Sequence, residues 1–177
     1  GGAPSRKHDV RLGDVVVSAP RDGRGGVFQY DFGKTIQDQT FRQTGFLAQP
    51  PMLLRTAVSR IKAQYESDGH QIQNAIEAAL QKKPRLRKKY RQPDNSTDRL
   101  HVAHATHPLD GKADCTTSCG SDASTLISRS ERDEDEDDPA VHYGLIASAN
   151  QLMKDAVLRD KLAHEKDVLC FEMEAAG

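Results

Sequence analysis

Residues 141–171 read VHYGLIASANQLMKDAVLRDKLAHEKDVLCF, and this stretch decides the fold class. Val141 to Ser148 reads as a strand. Leu152, Met153, Ala156, Val157 and Leu162 then fall on one helical face. Lys166-Asp167 is a turn. Val168-Leu169-Cys170-Phe171 is a near-continuous apolar run, as expected of a strand buried on both faces. Strand, helix, strand is a βαβ unit. The class is therefore α/β, with a central mixed or mostly parallel sheet flanked by helices.

Working back toward residue 1, Val15-Val16-Val17 is a short β-branched run bounded by Gly13 and Pro20, which predicts a buried strand. Asp22-Gly23 and Gly25-Gly26 mark a turn, and Val27, Phe28, Tyr30 and Phe32 predict a second strand. After Pro50-Pro51, residues Leu53, Leu54, Ala57, Val58, Ile61 and Tyr65 recur at helical spacing. Ile72, Ala75, Ile76, Ala79 and Leu80 mark another helix, stopped near Pro84. Lys82 to Arg91 is a basic run, and Leu100 to Ala105 reads as a strand. Residues 108–139 interrupt the domain as a polar insertion. It ends in an acidic run from Glu131 to Asp138, too charged to pack, and is expected to be a disordered loop. The acidic and basic runs either attract each other or stay as solvated faces.

Composition narrows the classes. The chain has 177 residues, a domain's worth. Lys and Arg number 25 against 26 Asp and Glu, so the total does not support a strongly basic nucleic-acid binder. No apolar run approaches the roughly 20 residues of a membrane helix, so no membrane partner is expected. Three cysteines are too few for a disulfide scaffold and point to a reducing, cytoplasmic setting. The run Gly1-Gly2-Ala3-Pro4 at one end and Phe171 to Gly177 at the other suggest an internal piece of a longer protein. No Walker or dinucleotide fingerprint occurs, and no cofactor is expected.

Glu172-Met173-Glu174 is the strongest candidate for chemistry. If the last strand continues, the two carboxylates share a face, at the end of a sheet where α/β proteins bind ligands. The competing reading is a strand-end acid that caps the next helix. A weak metal candidate is His107 with Cys115 and Cys119, which His104 would complete, beside His101 in the same stretch. Cys170 reads as a small core residue. The basic run, with only Tyr90 interleaved, is a poor nucleic-acid motif.

Three stretches together carry a resemblance. Phe171-Glu172-Met173-Glu174-Ala175-Ala176-Gly177 is similar to the ribose-binding motif of the nucleoside phosphorylase/nucleosidase superfamily, in its fungal branch. Gly1-Gly2-Ala3-Pro4 through Ser18 resembles its base-side glycine loop and following strand. Gly144 to Asn150 resembles a later strand end of that family. The resemblance implies a partial phosphorylase-like domain over residues 1–177, in an enzyme cleaving the N-glycosidic bond of a purine-type nucleoside by phosphorolysis or hydrolysis. It implies Glu174 as the catalytic group on the sugar hydroxyls, with Glu172 accessory and Met173 against the sugar. Asn150, Leu152 and Met153 would lie on the purine side, with Gly1 and Gly2 lining the base or nucleophile side. Leu152 stands where some relatives stack a Phe, and Ala149 replaces a commoner Gly. The family's catalytic Asp would lie beyond Gly177, so the piece itself is expected to be inactive. Implied partners are a purine-type nucleoside, phosphate as a co-substrate, and further copies of the chain or further domains. The rival reading is a non-catalytic nucleoside-sensing or oligomerisation module of a larger signalling protein.

Overall fold

The computed structural model describes residues 1–107, 119, 122–133 and 135–175. Five strands form one mixed sheet: β1 (Val15–Ser18), β2 (Val27–Lys34), β3 (Arg42–Phe46), β4 (Val141–Ser148) and β5 (Val168–Glu172). Among the described residues the helices are α1 (Met52–Asp68), α2 (Ile72–Gln81), α3 (Pro84–Tyr90) and α4 (Ala156–Lys166).

β4 is the hub. Its Ile146 pairs with Val27 of β2 and with Cys170 of β5, so these strands flank it on opposite sides, both parallel to it. β1 runs parallel to the first half of β4, from Val15 opposite Val141 to Ser18 opposite Gly144. The Gly144 carbonyl accepts from Ala19 N, and Ile146 N donates to the Gly26 carbonyl, each at 3.0 Å. Groups two residues apart on a strand point the same way, so β2 takes over from β1 along one side of β4. The handover is tight: a Cβ at Gly26 would stand 2.7 Å from Ala19 N, which only glycine avoids. β3 pairs antiparallel with β2 at the outer edge.

The opposite edge is covered by the start of the chain. Gly2 bridges Cys170 antiparallel. Ala3 N donates to the Leu169 carbonyl and Phe171 N to the Gly1 carbonyl, both at 2.8 Å. A turn-like Gly-Gly-Ala-Pro sequence thus lies along β5 as an edge segment.

The core follows the alternation of the strands. Phe28 and Tyr30 of β2 point inward and meet Ala147, Val168 and Phe171. The Tyr30 and Phe171 rings pack edge to face at 5.6 Å, and Phe28 stacks at 4.9 Å on Phe46, which gives β3 its place. Leu162 and Ala163 bring α4 onto this face. Asp155 starts α4 by accepting from Leu158 N at 2.9 Å, and Asp167 ends it in the left-handed region at φ 62°. Leu152 and Met153 precede the helix.

Two aspartates tie the loops to this frame. The Asp14 side chain is fully buried. Its carboxylate accepts from Arg132 Nη2 at 2.6 Å, Arg11 N at 2.8 Å and Ala140 N at 3.0 Å, and pairs with His142 Nε2 at 2.8 Å. Burial pushes this carboxyl up, but His142, Arg132 and the Arg11 amide outweigh it and hold it far below the usual carboxylate range. Asp167 gathers Lys7 Nζ and Arg21 Nη1, each at 2.6 Å, and His8 Nε2 at 3.0 Å. Burial again opposes, and the Lys7, Arg21 and His8 donors hold the carboxyl at about 2.

Within the insertion, residues 122–133 and 135–139 have definite contacts. Arg132 reaches Asp14 and Asp138, His70 N donates to Asp137 Oδ1 at 3.3 Å, and Ile127 N donates to the Leu100 carbonyl at 2.8 Å. No ion pair joins the acidic run to the basic run among the described residues. The segment Leu100 to Ala105 is not a strand; His101 makes a single bridge to Leu126 and the rest is irregular. The periodic helices α1 and α2 exist, and the basic run adds α3, which was not expected from the sequence; none of the three has a buried residue.

Asp14→Asn leaves Arg132 short of its partner in a buried setting, and is expected to cost about 3–5 kcal/mol in urea unfolding. The exposed pair partner Asp9, replaced by Asn, costs less than about 1 kcal/mol. Acid adds a second check. The folded carboxyls of Asp14 and Asp167 lie below the unfolded value of about 3.9. The unfolded chain therefore takes up protons first. Their stabilisation is complete above that value and is lost as the pH falls through it toward 2. Asp167→Asn flattens that decline, measured as unfolding midpoints between pH 6 and pH 2.

Candidate functional site

Ligands of open α/β sheets settle outside the carboxyl ends of the strands. β4 and β5 end level with each other here, Ser148 in register with Glu172. Parallel neighbours in register present their side chains to one face. The wholly buried Ser148 hydroxyl donates to the Glu172 carboxylate. Glu172 Oε2 also accepts from Glu174 N at 2.7 Å and Ala175 N at 2.9 Å. Its other oxygen, Oε1, is buried and has no hydrogen-bond partner. Burial pushes this carboxyl up; the donors from Ser148, Glu174 N and Ala175 N prevail and hold it below the ordinary range. It stays ionised, with Oε2 fixed by backbone amides and Oε1 buried.

The strand stops at Glu172, and residues 173–175 form a bend and turn. Glu172 and Glu174 therefore do not share a strand face. Glu172 caps the turn that follows the strand; the helix that the competing reading expects would lie past Ala175, outside the described residues. Glu174 is exposed, and its Oε2 accepts from Met173 N at 2.9 Å. Met173 is 38% exposed.

The remaining predicted residues fall around this end of the sheet. Gly1 N donates to the Phe171 carbonyl at 2.6 Å, which sets Gly1 beside the last turn of β5, with Gly2 opposite Cys170. Asn150 follows β4 directly, and its N–H donates to Asp31 Oδ2 at 3.1 Å. The Tyr30 hydroxyl donates to the Gln151 carbonyl at 2.9 Å. Together these bonds hold the loop after β4 against the far end of β2. Leu152 is exposed, whereas Met153 packs against the core. Ser148 opens the segment that the resemblance places on the purine side, but its bond to Glu172 is new, as is the place of Asp31. Ser148 was legible in principle, as the polar last residue of an apolar strand.

The other candidates lie elsewhere. His107 Nδ1 stands 3.1 Å from Cys119 Sγ, and Cys115 lies outside the described residues. Among the described residues, no three His, Cys, Asp or Glu side chains gather as a metal site would require. Cys170 is half-buried, and burial pushes its thiol up, away from nucleophilic use.

All 177 residues of the chain align, at 38% identity, with a nucleotide-binding leucine-rich repeat (NLR)-like protein of Hyaloscypha variabilis. The chain spans 16% of that protein's length. No protein-family profile and no solved structure matches it. These findings overturn the expected membership of the nucleoside phosphorylase/nucleosidase superfamily. The similar protein is described as NLR-like and not as a phosphorylase or nucleosidase, and nothing ties this mixed α/β sheet to a phosphorylase fold. The parent enzyme, the cleavage of N-glycosidic bonds, and the purine-type nucleoside and phosphate as substrates are withdrawn with it. The physical reason is local. The resemblance rested on short stretches, and the most telling one, Phe171 to Gly177, folds through Ala175 as a capped strand end.

A cap and a free surface acid respond differently to truncation. Glu172→Ala is expected to cost about 1 kcal/mol in chemical denaturation, as capping residues do. Glu174→Ala stays within about 0.5 kcal/mol of the unaltered protein.

Proposed function

We propose that this chain is a non-catalytic sensing module of a larger signalling protein, reading a nucleoside- or nucleotide-type ligand at the carboxyl end of β4 and β5. The observation that carries the reading is the Glu172 carboxylate. One of its oxygens is held by backbone amides, and the other is buried without a hydrogen-bond partner. Such an oxygen suits a sugar hydroxyl as donor, because a hydrogen bond to a charged group contributes about 1.5–3 kcal/mol. The similarity to a nucleotide-binding leucine-rich repeat (NLR)-like protein supports the ligand class and the larger setting.

In this reading Glu172 takes the sugar and Glu174, exposed beside it, closes over the second hydroxyl. Met173 and Leu152 supply apolar cover, with Met153 behind them. Asn150, Gly1 and Gly2 border the site through their backbone. Residues 1–177 act as one module. Among the described residues no helix is long and apolar enough to cross a membrane. With few cysteines, that supports a cytoplasmic setting.

Calorimetric titration of the full-length protein with nucleosides and nucleotides tests the proposal, each as its ribo and 2′,3′-dideoxy form. Ribo forms should bind at least about tenfold more tightly, in line with one charge-assisted hydrogen bond. Glu172→Gln should erase that difference, and chromatography should detect no released base. Equal binding of the two forms, or binding of neither, overturns the reading.

A further inference from the structure

α1, α2 and α3 hold no buried residue between them. Yet α2 separates its apolar and polar residues more sharply than α1 or α4. An apolar stripe that the fold does not use is a surface looking for a partner. Here the stripe is not flat. Ile76 and Leu80, one turn apart on α2, line a groove of about 780 Å³ with Tyr90 of α3 and Leu12 from the loop before β1. Ile76 is 43% exposed and Tyr90 58%, although both line a concave wall.

The rim of the groove carries both signs, with cations in excess once the run around them is counted. Arg87 and Arg91 border it, and Lys82, Lys83, Arg85, Lys88 and Lys89 lie on the same short run of chain. None of these seven cations forms an ion pair among the described residues. Of the acids in the lining, Asp138 is taken by Arg132, and Glu77, bonded only to the neutral amide of Gln73, is outnumbered by the cations. The chain's acidic run cannot fill the groove, because Arg132 and the His70 amide hold it in place at Asp138 and Asp137.

We propose that this groove docks an acidic amphipathic helix of a partner protein. Its apolar face would lie along Ile76, Leu80 and Tyr90, and its carboxylates would meet Arg87, Arg91 and the lysines of α3. Apolar anchors at helical spacing within a concave surface are how grooves read helices. The unpaired basic rim selects sign and register. A nucleic acid would set its phosphates against Ile76, Leu80 and Leu12 with a single aromatic for stacking. A bilayer, being flat, would not enter the groove. The docking surface does not depend on the ligand site at Glu172.

The test is fluorescence anisotropy on the full-length protein with a labelled 16-residue peptide, Leu at heptad a and d positions and Glu at the other charged positions. The probe should bind saturably, and weaken at least about tenfold with R87E/R91E and with I76S. Circular dichroism would confirm that both variants remain folded. A peptide with Lys in place of Glu, and one with the same composition but scrambled Leu positions, should bind at least tenfold more weakly. Several outcomes overturn the proposal: no binding, equal binding of the scrambled peptide, indifference to both variants, or tighter binding to oligouridylate or phosphatidylserine vesicles. Glu172→Gln should leave the peptide affinity unchanged.

Discussion

A carboxylate buried away from water must be surrounded by donors or it cannot stay charged, and Asp14 meets that condition with groups from four places in the chain. Arg11 is three residues away, whereas Arg132, Ala140 and His142 lie more than 100 residues downstream. The constraint fixes more than one ion pair. It seats β1 beside the start of β4, because Asp14 precedes Val15 and His142 is on β4 itself. It also pins the end of the insertion, through Arg132 and its second partner Asp138. Asp167 does the same work at the turn between α4 and β5. Lys7 and His8 precede β1, and Arg21 lies between β1 and β2. A sheet made mainly of parallel pairings between distant strands is closed by two acids at its margins.

How much of this was legible in the sequence depends on how local each cause is. The strands β1, β2, β4 and β5 announce themselves as apolar or β-branched runs; burial on both faces accounts for β5, whereas β1, expected to be buried, pairs only with β4 and has no buried residue and an exposed Val15. β3 does not, since Arg42-Gln43-Thr44-Gly45-Phe46 is mostly polar, and its place is set by the neighbouring β2 and one ring contact with Phe28. Leu100 to Ala105 looks as much like a strand as β3 does, but no neighbouring strand takes it up. The helical periodicity of α1 and α2 was readable. That their apolar faces lie open was not, because spacing records a face and says nothing about what covers it.

The candidate site divides along the same line. A carboxylate at a strand end was visible at Glu172, and so was the pair of roles it could take. The choice between them turned on where β5 stops, and on two backbone amides that fold back to the side chain. Ser148 enters only through the register of β4 against β5. Over its described residues, Phe171 to Ala175, the motif carries a cap at Glu172. Its side-chain types were unchanged; the backbone geometry under them decided.

The edge formed by Gly1 to Ala3 has a consequence for the order in which the molecule is made. These residues bond to β5 across a separation of 170 positions. At the roughly 5–20 residues per second of synthesis, they leave the ribosome on the order of ten to thirty seconds before their partners. β1 and β2 also wait, since the hub strand that joins them arrives late in the chain. Only the β2–β3 hairpin can pair early. While residues 47–140 emerge, the nascent segment holds a hairpin and uncovered helices, with no sheet to receive them. Assembly then comes in one late step as the last strands emerge. The growing chain, rather than the finished protein, is the species most in need of a chaperone.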